Sequence, residues 1–538
     1  MSTPGLLYVS MQPREGLSLD QFHEWYNNEH GPTRLRLPQI FPNGLRYRAA
    51  DGETPGFVAV YDVTCMSHLE TETYTTLRAN RSPREAATIG QVDVQRSFWD
   101  LLHTEQGGTA FRPFEAHTDG EAEGLVTVAA EITLTDAEGA AEGYRTWYEE
   151  EHAKMLSKVP GWVRSRLYRT SYLEGGKGTP SFLALHDYKR ENGLGGPEHK
   201  ASMSTSYREE VFGKYVASKG RRTWSLFYVF GPAPRDLSSL SRLPADAAFT
   251  SADGKTVTNP GSDANITSHF NAKDGLSISY RLEGNSSPDA PVVAFVNSLL
   301  TSYQMWDPFV AILKKERPDL KILRYDFRGR NAIPQPPVAA TLDRVTDDLI
   351  EVLDALRIPK VAALIGVSMG GATTLNAALR YPDRMAKFIA CDFNATSSAA
   401  NTQAWKDRIA VAQSDDGAGI KTLASQTVAR WFHPSSMEKA DGVSWMTDMV
   451  ATNDVEGFAH SCTALWDYDL KPALSGCRVP GLFVVGEGDG KGALVKAMDG
   501  FRGQVGEGGV DLNIVPEAGH LPMCEAPQGF WEAVRSFV

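Results

Sequence analysis

Ser368 stands in Gly366-Val367-Ser368-Met369-Gly370, after the apolar run Val361-Ala362-Ala363-Leu364-Ile365 and before Gly371-Ala372-Thr373-Thr374-Leu375. A hydroxyl is thus expected where a buried strand turns sharply into a helix. Glycines two before and two after the serine let backbone pack closely around a strained turn and lift the hydroxyl clear of the sheet edge. Such a serine becomes a nucleophile when a base takes its proton, a further group orients the base, and donors meet the developing oxyanion. The chain offers a base in His520, within Pro516-Glu517-Ala518-Gly519-His520-Leu521-Pro522, and an orienting acid in Asp489, within Val485-Gly486-Glu487-Gly488-Asp489-Gly490. Glu487 competes for the acid's role, but it lies nearer the end of its strand, which ranks Asp489 first.

The elements that must position these groups alternate from Gly275 onward. Strands are read at residues 276–280, 292–296, 322–325, 361–365, 388–391, 482–485 and 512–515, with helices between them. A mostly parallel sheet covered on both faces follows. The order Ser, Asp, His and the strand–turn–helix around Ser368 make this an α/β-hydrolase domain over residues 265–538. That fold takes its oxyanion donors from two backbone N–H groups, here Met369 after the nucleophile and Leu299 in the loop after strand 292–296. Asn297-Ser298 could be a simple turn, but the same loop supplies the second donor, which favours a place in the site. At about residues 395–475 the sheet pattern lapses into helical sequence, expected as a cap over the site. Arg430-Trp431-Phe432 and Trp466 are bulky enough to line the pocket, or else to bind the cap helices together.

This half resembles the 3-oxoadipate enol-lactone hydrolases. The matches are Asn297-Ser298-Leu299 with Met305-Trp306-Asp307-Pro308, Tyr325-Asp326-Phe327-Arg328-Gly329, Gly366 to Gly371, Arg430-Trp431-Phe432, Gly457-Phe458 with Asp469-Leu470, Gly486 to Asp489, and Gly519-His520-Leu521. The resemblance implies a triad of Ser368, Asp489 and His520 with Leu299 and Met369 as the oxyanion hole. Asn297, Ser298, Trp306, Arg330, Trp431, Phe432 and Trp466 are the expected pocket residues. Two departures bear on substrate: Arg330-Asn331 replaces a usual His-Gly continuation, and Gly490-Lys491-Gly492 replaces a Thr-Pro-type turn. Both are expected to border the pocket, and they count against a small dicarboxylate.

The first two fifths repeat. Trp25-Tyr26-Asn27-Asn28-Glu29-His30 recurs as Trp147-Tyr148-Glu149-Glu150-Glu151-His152, and later echoes follow at nearly constant offset. A duplication explains this. Each copy reads βαββαβ, one sheet face covered by helices and the other needing a partner, so two copies can close an α+β barrel within one chain. The tandem resembles the EthD-like branch of the dimeric α/β-barrel (ferredoxin-like) families, with copies at residues 1–110 and 120–232 and a linker at 233–264. His30 and His152 are a candidate second site, acting on an acidic phenolic or polyketide-like ligand in the barrel; as plain structure they read as helix C-terminal capping residues. Trp25, Trp99, Trp147 and Trp224 are expected in cores.

With 538 residues the chain has room for about three domains. A net charge of −12 argues against nucleic acid or an anionic membrane as partner, and for a small-molecule substrate. The five cysteines are scattered without C-x-x-C pairing, which indicates neither a disulfide framework nor a zinc site. No cofactor and no metal is expected. No leader or 18-residue apolar run is seen, so the default location is cytoplasmic. The oligomeric state, a homodimer among the options, is left open. The expected activity is serine-dependent opening of a lactone, enol-lactone or ester of an aromatic or polyketide-like molecule. Two alternatives stand beside it: C–C hydrolysis or cofactor-free perhydrolase chemistry with the same triad, and a barrel that binds or scaffolds beside a degenerate hydrolase.

Overall fold

Alternation in the first strands decides how the N-terminal unit packs. In β1 (Gly5–Pro13), Leu7, Val9 and Met11 join one apolar cluster with Phe22, Trp25 and Tyr26 of the covering helices, while Leu6 joins another. This period of two puts alternate residues on opposite sheet faces. The computed structural model describes residues 3–109, 111–174 and 181–538. It divides into two units, Met1–Pro234 with Thr250–Asp253, and Arg235–Phe249 with Gly254–Val538.

The first unit continues with β2 (Asn43–Ala49), β3 (Phe57–Val63), β4 (Val92–Gln106), β5 (Val126–Leu134), β6 (Trp162–Thr170), β7 (Ser181–Tyr188) and β8 (Val216–Val229). They form a closed antiparallel barrel in the order β1-β3-β2-β8-β5-β7-β6-β4. Each half has the same internal order, β4-β1-β3-β2 and β8-β5-β7-β6, and the halves meet at β2–β8 and β4–β6. The cluster facing away from the helices takes Leu6, Leu45, Val58 and Trp99 from one half and Ala129, Leu183, Leu185 and Trp224 from the other, so side chains of both halves fill the lumen. Trp25 and Trp147 sit instead in the clusters under the helices, and all four expected core tryptophans are buried.

The second unit holds a ten-stranded sheet in the order β18-β17-β16-β15-β13-β14-β12-β11-β10-β9. Its strands are β9 (Phe249–Thr250), β10 (Val257–Asn259), β11 (Asn265–Asn271), β12 (Ser277–Gly284), β13 (Val292–Val296), β14 (Lys321–Tyr325), β15 (Ala363–Val367), β16 (Phe388–Cys391), β17 (Gly481–Gly486) and β18 (Asp511–Val515). From β14 to β18 neighbours run parallel, whereas β12 meets both β14 and β11 antiparallel. The segment expected as an unstructured linker carries a helix, Leu237–Ser241, and the short strands β9 and β10. Two short strands with few apolar residues, at a sheet edge, leave little periodicity to read. Between β16 and β17 lie the helices Ala399–Gln413, Gly419–Trp431, Pro434–Met437, Ala440–Ala451 and Val455–Cys462, where cap sequence was expected. Among the described residues, no helix is long and apolar enough to cross a membrane.

Candidate active site

Ser368 follows β15 directly at φ 61°, ψ −119°, a conformation that L residues avoid, and the helix Met369–Arg380 starts immediately after it. The turn is tight enough to exclude side chains around it. A Cβ on Gly366 would lie 2.2 Å from the Gly370 carbonyl oxygen, and one on Gly370 would lie 2.2 Å from that of Val296. Ser368 itself is partly exposed while Val367 and Met369 are buried.

Ser368, Met369, Ser298, Leu299, Asp489 and His520 line a single cavity of about 570 Å³. His520 Nδ1 lies 2.7 Å from Asp489 Oδ2. Donation of that N–H to the carboxylate leaves Nε2 free to take a proton. The Ser368 hydroxyl makes no hydrogen bond to His520 or to any other group among the described residues. Trp431 stacks on the imidazole at 5.6 Å and 27°, and its carbonyl accepts the His520 N–H at 2.7 Å. Glu487 is exposed and accepts the Glu517 N–H at 3.2 Å, so it faces away from His520.

The loop carrying Leu299 is anchored from below. Asn297 Nδ2 donates to the Tyr325 carbonyl at 2.9 Å, Trp306 Nε1 donates to Asn297 Oδ1 at 3.0 Å, and Thr301 Oγ1 donates to the Ser298 carbonyl at 2.7 Å. Asn297 and Trp306 are therefore buried beneath the loop and do not line the cavity, contrary to expectation. Among the described residues, the Leu299 and Met369 N–H groups have no protein acceptor, as two donors left for a ligand oxygen would.

Of the remaining expected pocket residues, Ser298 and Trp431 line the cavity, and Phe432, Trp466 and Arg330 do not. Arg330 reaches instead to the Met449 carbonyl at 3.1 Å and Thr452 Oγ1 at 2.9 Å, and Asn331 donates to Asp326 Oδ2 at 3.2 Å. The first departure from the enol-lactone hydrolase pattern thus serves cap attachment, whereas Gly490 of the second does line the cavity.

Arg430 lines the cavity as its segment was expected to, whereas Arg408, Asp392 and Glu525 escaped the reading of the sequence. Arg408 and Arg430 both line the cavity, and among the described residues neither forms an ion pair with a carboxylate. Burial and then repulsion from Arg408 push Arg430 down to about 10. Asp392, directly after β16, is buried and accepts the Gly486 N–H at 2.9 Å. Burial, and then the Asp489 charge, push its carboxyl well above the usual range. Asp392, Asp489 and His520 place ligand-type atoms within 4.8 Å of one another, and two of them are already joined by the His520–Asp489 hydrogen bond. Glu525, finally, accepts N–H groups from Gly519 at 3.0 Å, Leu521 at 3.1 Å and His433 at 2.7 Å. A carboxylate five residues beyond the histidine carries no sequence signal of this kind, because its partners are backbone groups.

Strained serine, paired histidine and parallel sheet define an α/β-hydrolase architecture. The alpha/beta hydrolase family matches residues 293–533. 3-Oxoadipate enol-lactonase 2 of Acinetobacter baylyi is 30% identical over 274 residues, 50% of this chain and 97% of that protein. Enol-lactonase 1 of the same organism is 29% identical over 269 residues, 49% of this chain and 94% of that protein. The crystal structure of the enol-lactonase from Burkholderia xenovorans is 28% identical, covers 50% of this chain and 98% of its own, and has a TM-score of 0.44. The chain belongs to the alpha/beta hydrolase family.

In the other unit, His30 and His152 each end a π-helical turn, Tyr26–His30 and Tyr148–His152. Neither caps a helix end: His30 Nδ1 bonds Glu85 Oε1 at 2.6 Å, and His152 stacks on Trp147 at 4.6 Å.

Proposed function

We propose that the second unit is a serine-dependent hydrolase that opens a lactone, enol-lactone or ester carrying an anionic group. Ser368 Oγ attacks the carbonyl carbon while His520 Nε2 takes its proton, and Asp489 holds the imidazole through Nδ1–H. The oxyanion settles on the Leu299 and Met369 N–H groups. His520 then returns the proton to the leaving oxygen, and water, activated by the same imidazole, releases the acid from Ser368. An enol leaving group tautomerises to the ketone, which makes ring opening irreversible.

The observation that carries this reading is the 2.7 Å His520–Asp489 hydrogen bond in the same cavity as the strained Ser368. Similarity to enol-lactonases supports the bond type. Arg408 and Arg430 support the charge of the substrate: two like charges without carboxylate partners, set into a wall with Trp405, Trp431 and Leu465, suit a carboxylate or phenolate on an apolar, aromatic or polyketide-like body. In the same reading the barrel unit is an EthD-like, ferredoxin-like duplication, supported by the equal strand order of its halves and the recurring W-Y-x-x-E-H segment.

Steady-state assays on paired substrates test the proposal. Lactones and aryl esters bearing a free carboxylate should be turned over with kcat/KM about 10- to 100-fold above their methyl-esterified or amide counterparts, the range of one charge-assisted contact. Arg430→Met should abolish that preference mainly through KM. Equal rates on charged and neutral members, or turnover of β-diketones alone, would refute it.

A further inference from the structure

A second cavity, of about 740 Å³, lies wholly within the barrel unit, outside the filled lumen and among the helices that cover the first half. His30, Glu85 and Arg34 line it, all buried, with Arg78 and Arg81 exposed at its rim and Leu37 and Leu77 as apolar wall. Arg34 gives one N–H to the His30 carbonyl at 2.7 Å, and among the described residues it has no carboxylate in ion-pair contact. Buried guanidinium groups ordinarily meet an anion, because desolvating an uncompensated charge is costly. Nearby Arg96 is lowered by burial and then by repulsion from Arg78 and Arg34.

The pairing of His30 is specific to this half. Ser82 caps the helix Pro83–Ile89 by accepting the Glu85 N–H at 2.9 Å, and at the matching place Thr205 caps Ser206–Tyr215 by accepting the Arg208 N–H at 3.1 Å. Three residues past the cap the first half therefore has the acid that bonds its histidine, and the second half has an arginine. Arg208 lies over the Phe212 ring at 4.0 Å, and His152 Nδ1 has no partner among the described residues. Two copies of one framework differ at the position that decides whether the histidine is held by a carboxylate. Burial, then the Arg34 charge, bring His30 down to about 3, so it is neutral, donates Nδ1–H to Glu85 and keeps Nε2 as an acceptor.

We propose that this cavity is a second ligand site, present in the first half only, which binds an apolar organic acid with its anionic group on Arg34 and the rim arginines. The site is independent of Ser368. An inorganic anion would satisfy the arginines but leave the Leu37 and Leu77 wall bare, whereas a carboxylate on an aromatic or alicyclic body meets both.

The experiment titrates the full chain with 2-naphthoate, 2-naphthamide and inorganic phosphate, reading affinity by calorimetry and location by amide hydrogen exchange. The naphthoate should protect the helices Glu72–Ala79 and Pro83–Ile89. It should bind at least about tenfold more tightly than the amide. Arg34→Met should weaken it by a similar factor. Because Arg34 is buried, the Arg78→Ala, Arg81→Ala double variant at the exposed rim provides an arm free of folding risk and should also weaken binding. Arg408→Met, Arg430→Met should leave the protection of these two helices intact, which separates this site from the hydrolase cavity. The proposal is overturned by any of these results: no protection of the two helices at millimolar naphthoate, protection unchanged in both arginine variants, equal binding of the amide, or phosphate binding more tightly than naphthoate.

Discussion

Glu525 clamps the backbone on both sides of His520: one carboxylate oxygen accepts the Gly519 N–H at 3.0 Å and the other accepts the Leu521 N–H at 3.1 Å. The imidazole's place is thus set by three contacts, this clamp, the Trp431 carbonyl and Asp489. Glu525→Gln keeps the shape but turns an NH₂ toward a backbone donor. We expect kcat to fall at least about tenfold with KM little changed, and stability to drop by about 1–3 kcal/mol. Steady-state kinetics and thermal unfolding check both.

Asp489 and Glu487 are separated by one residue, Gly488, and by their orientation. Asp489→Asn should lower kcat by about 10⁴-fold, since the amide favours the wrong imidazole tautomer. Glu487→Gln should stay within about twofold of wild type, because among the described residues its exposed side chain meets only the Glu517 N–H. Parallel kcat measurements with one chromogenic ester decide the matter; the reverse order would move the acid to Glu487.

Close backbone packing predicts a cost for even one methyl group at the turn. Gly370→Ala puts a Cβ 2.2 Å from the Val296 carbonyl oxygen, which neither helix nor strand can yield easily. Destabilisation of about 3 kcal/mol or more is expected, whereas Gly442→Ala, inside the helix Ala440–Ala451 where a Cβ meets nothing within 4 Å, should be neutral or stabilise by up to about 1 kcal/mol. Thermal melts of the two variants provide the comparison.

Asp392 gives a pH signature. Burial, with Asp489 and Glu525 nearby, raises its folded value well above that of the unfolded chain. Between those values the folded state holds one more proton than the unfolded state, so stability is greatest below the unfolded value, near 4, and falls as pH rises toward the folded one. The slope for one proton is at most about 1.4 kcal/mol per pH unit. Asp392→Asn mimics the neutral acid and should flatten that fall, read as amide exchange of β16 and β17 across pH. An unchanged slope would mean that Asp392 is ionised in the fold.

What the sequence disclosed follows the range of its interactions. The strands β13, β15 and β16 and the turn at Ser368 were legible because burial on both faces writes continuous apolar runs and because the turn needs glycine at fixed offsets. The short edge strands β9 and β10 were not, since an edge pair of two and three residues has no apolar period. Side chains that act on backbone, such as Glu525, and cations whose value lies in lacking a partner, such as Arg408, leave no local pattern. Trp306 and Asn297 were drawn toward the pocket by their neighbourhood in the chain, yet their hydrogen bond to each other holds them beneath the loop. The barrel's closure was readable from the repeat; the difference between Glu85 and Arg208 rests on the matching helix caps Ser82 and Thr205, which lie outside the recurring W-Y-x-x-E-H segment.

The central claim is that the Ser368 hydroxyl is the nucleophile. Native protein treated with a fluorophosphonate, digested and analysed by mass spectrometry should carry the adduct on the peptide containing Ser368. Labelling should be lost in Ser368→Ala, slowed by several orders of magnitude in His520→Gln, and blocked by a competing carboxylate-bearing lactone. Folded protein that stays unlabelled, or carries the adduct on another serine, would contradict the account.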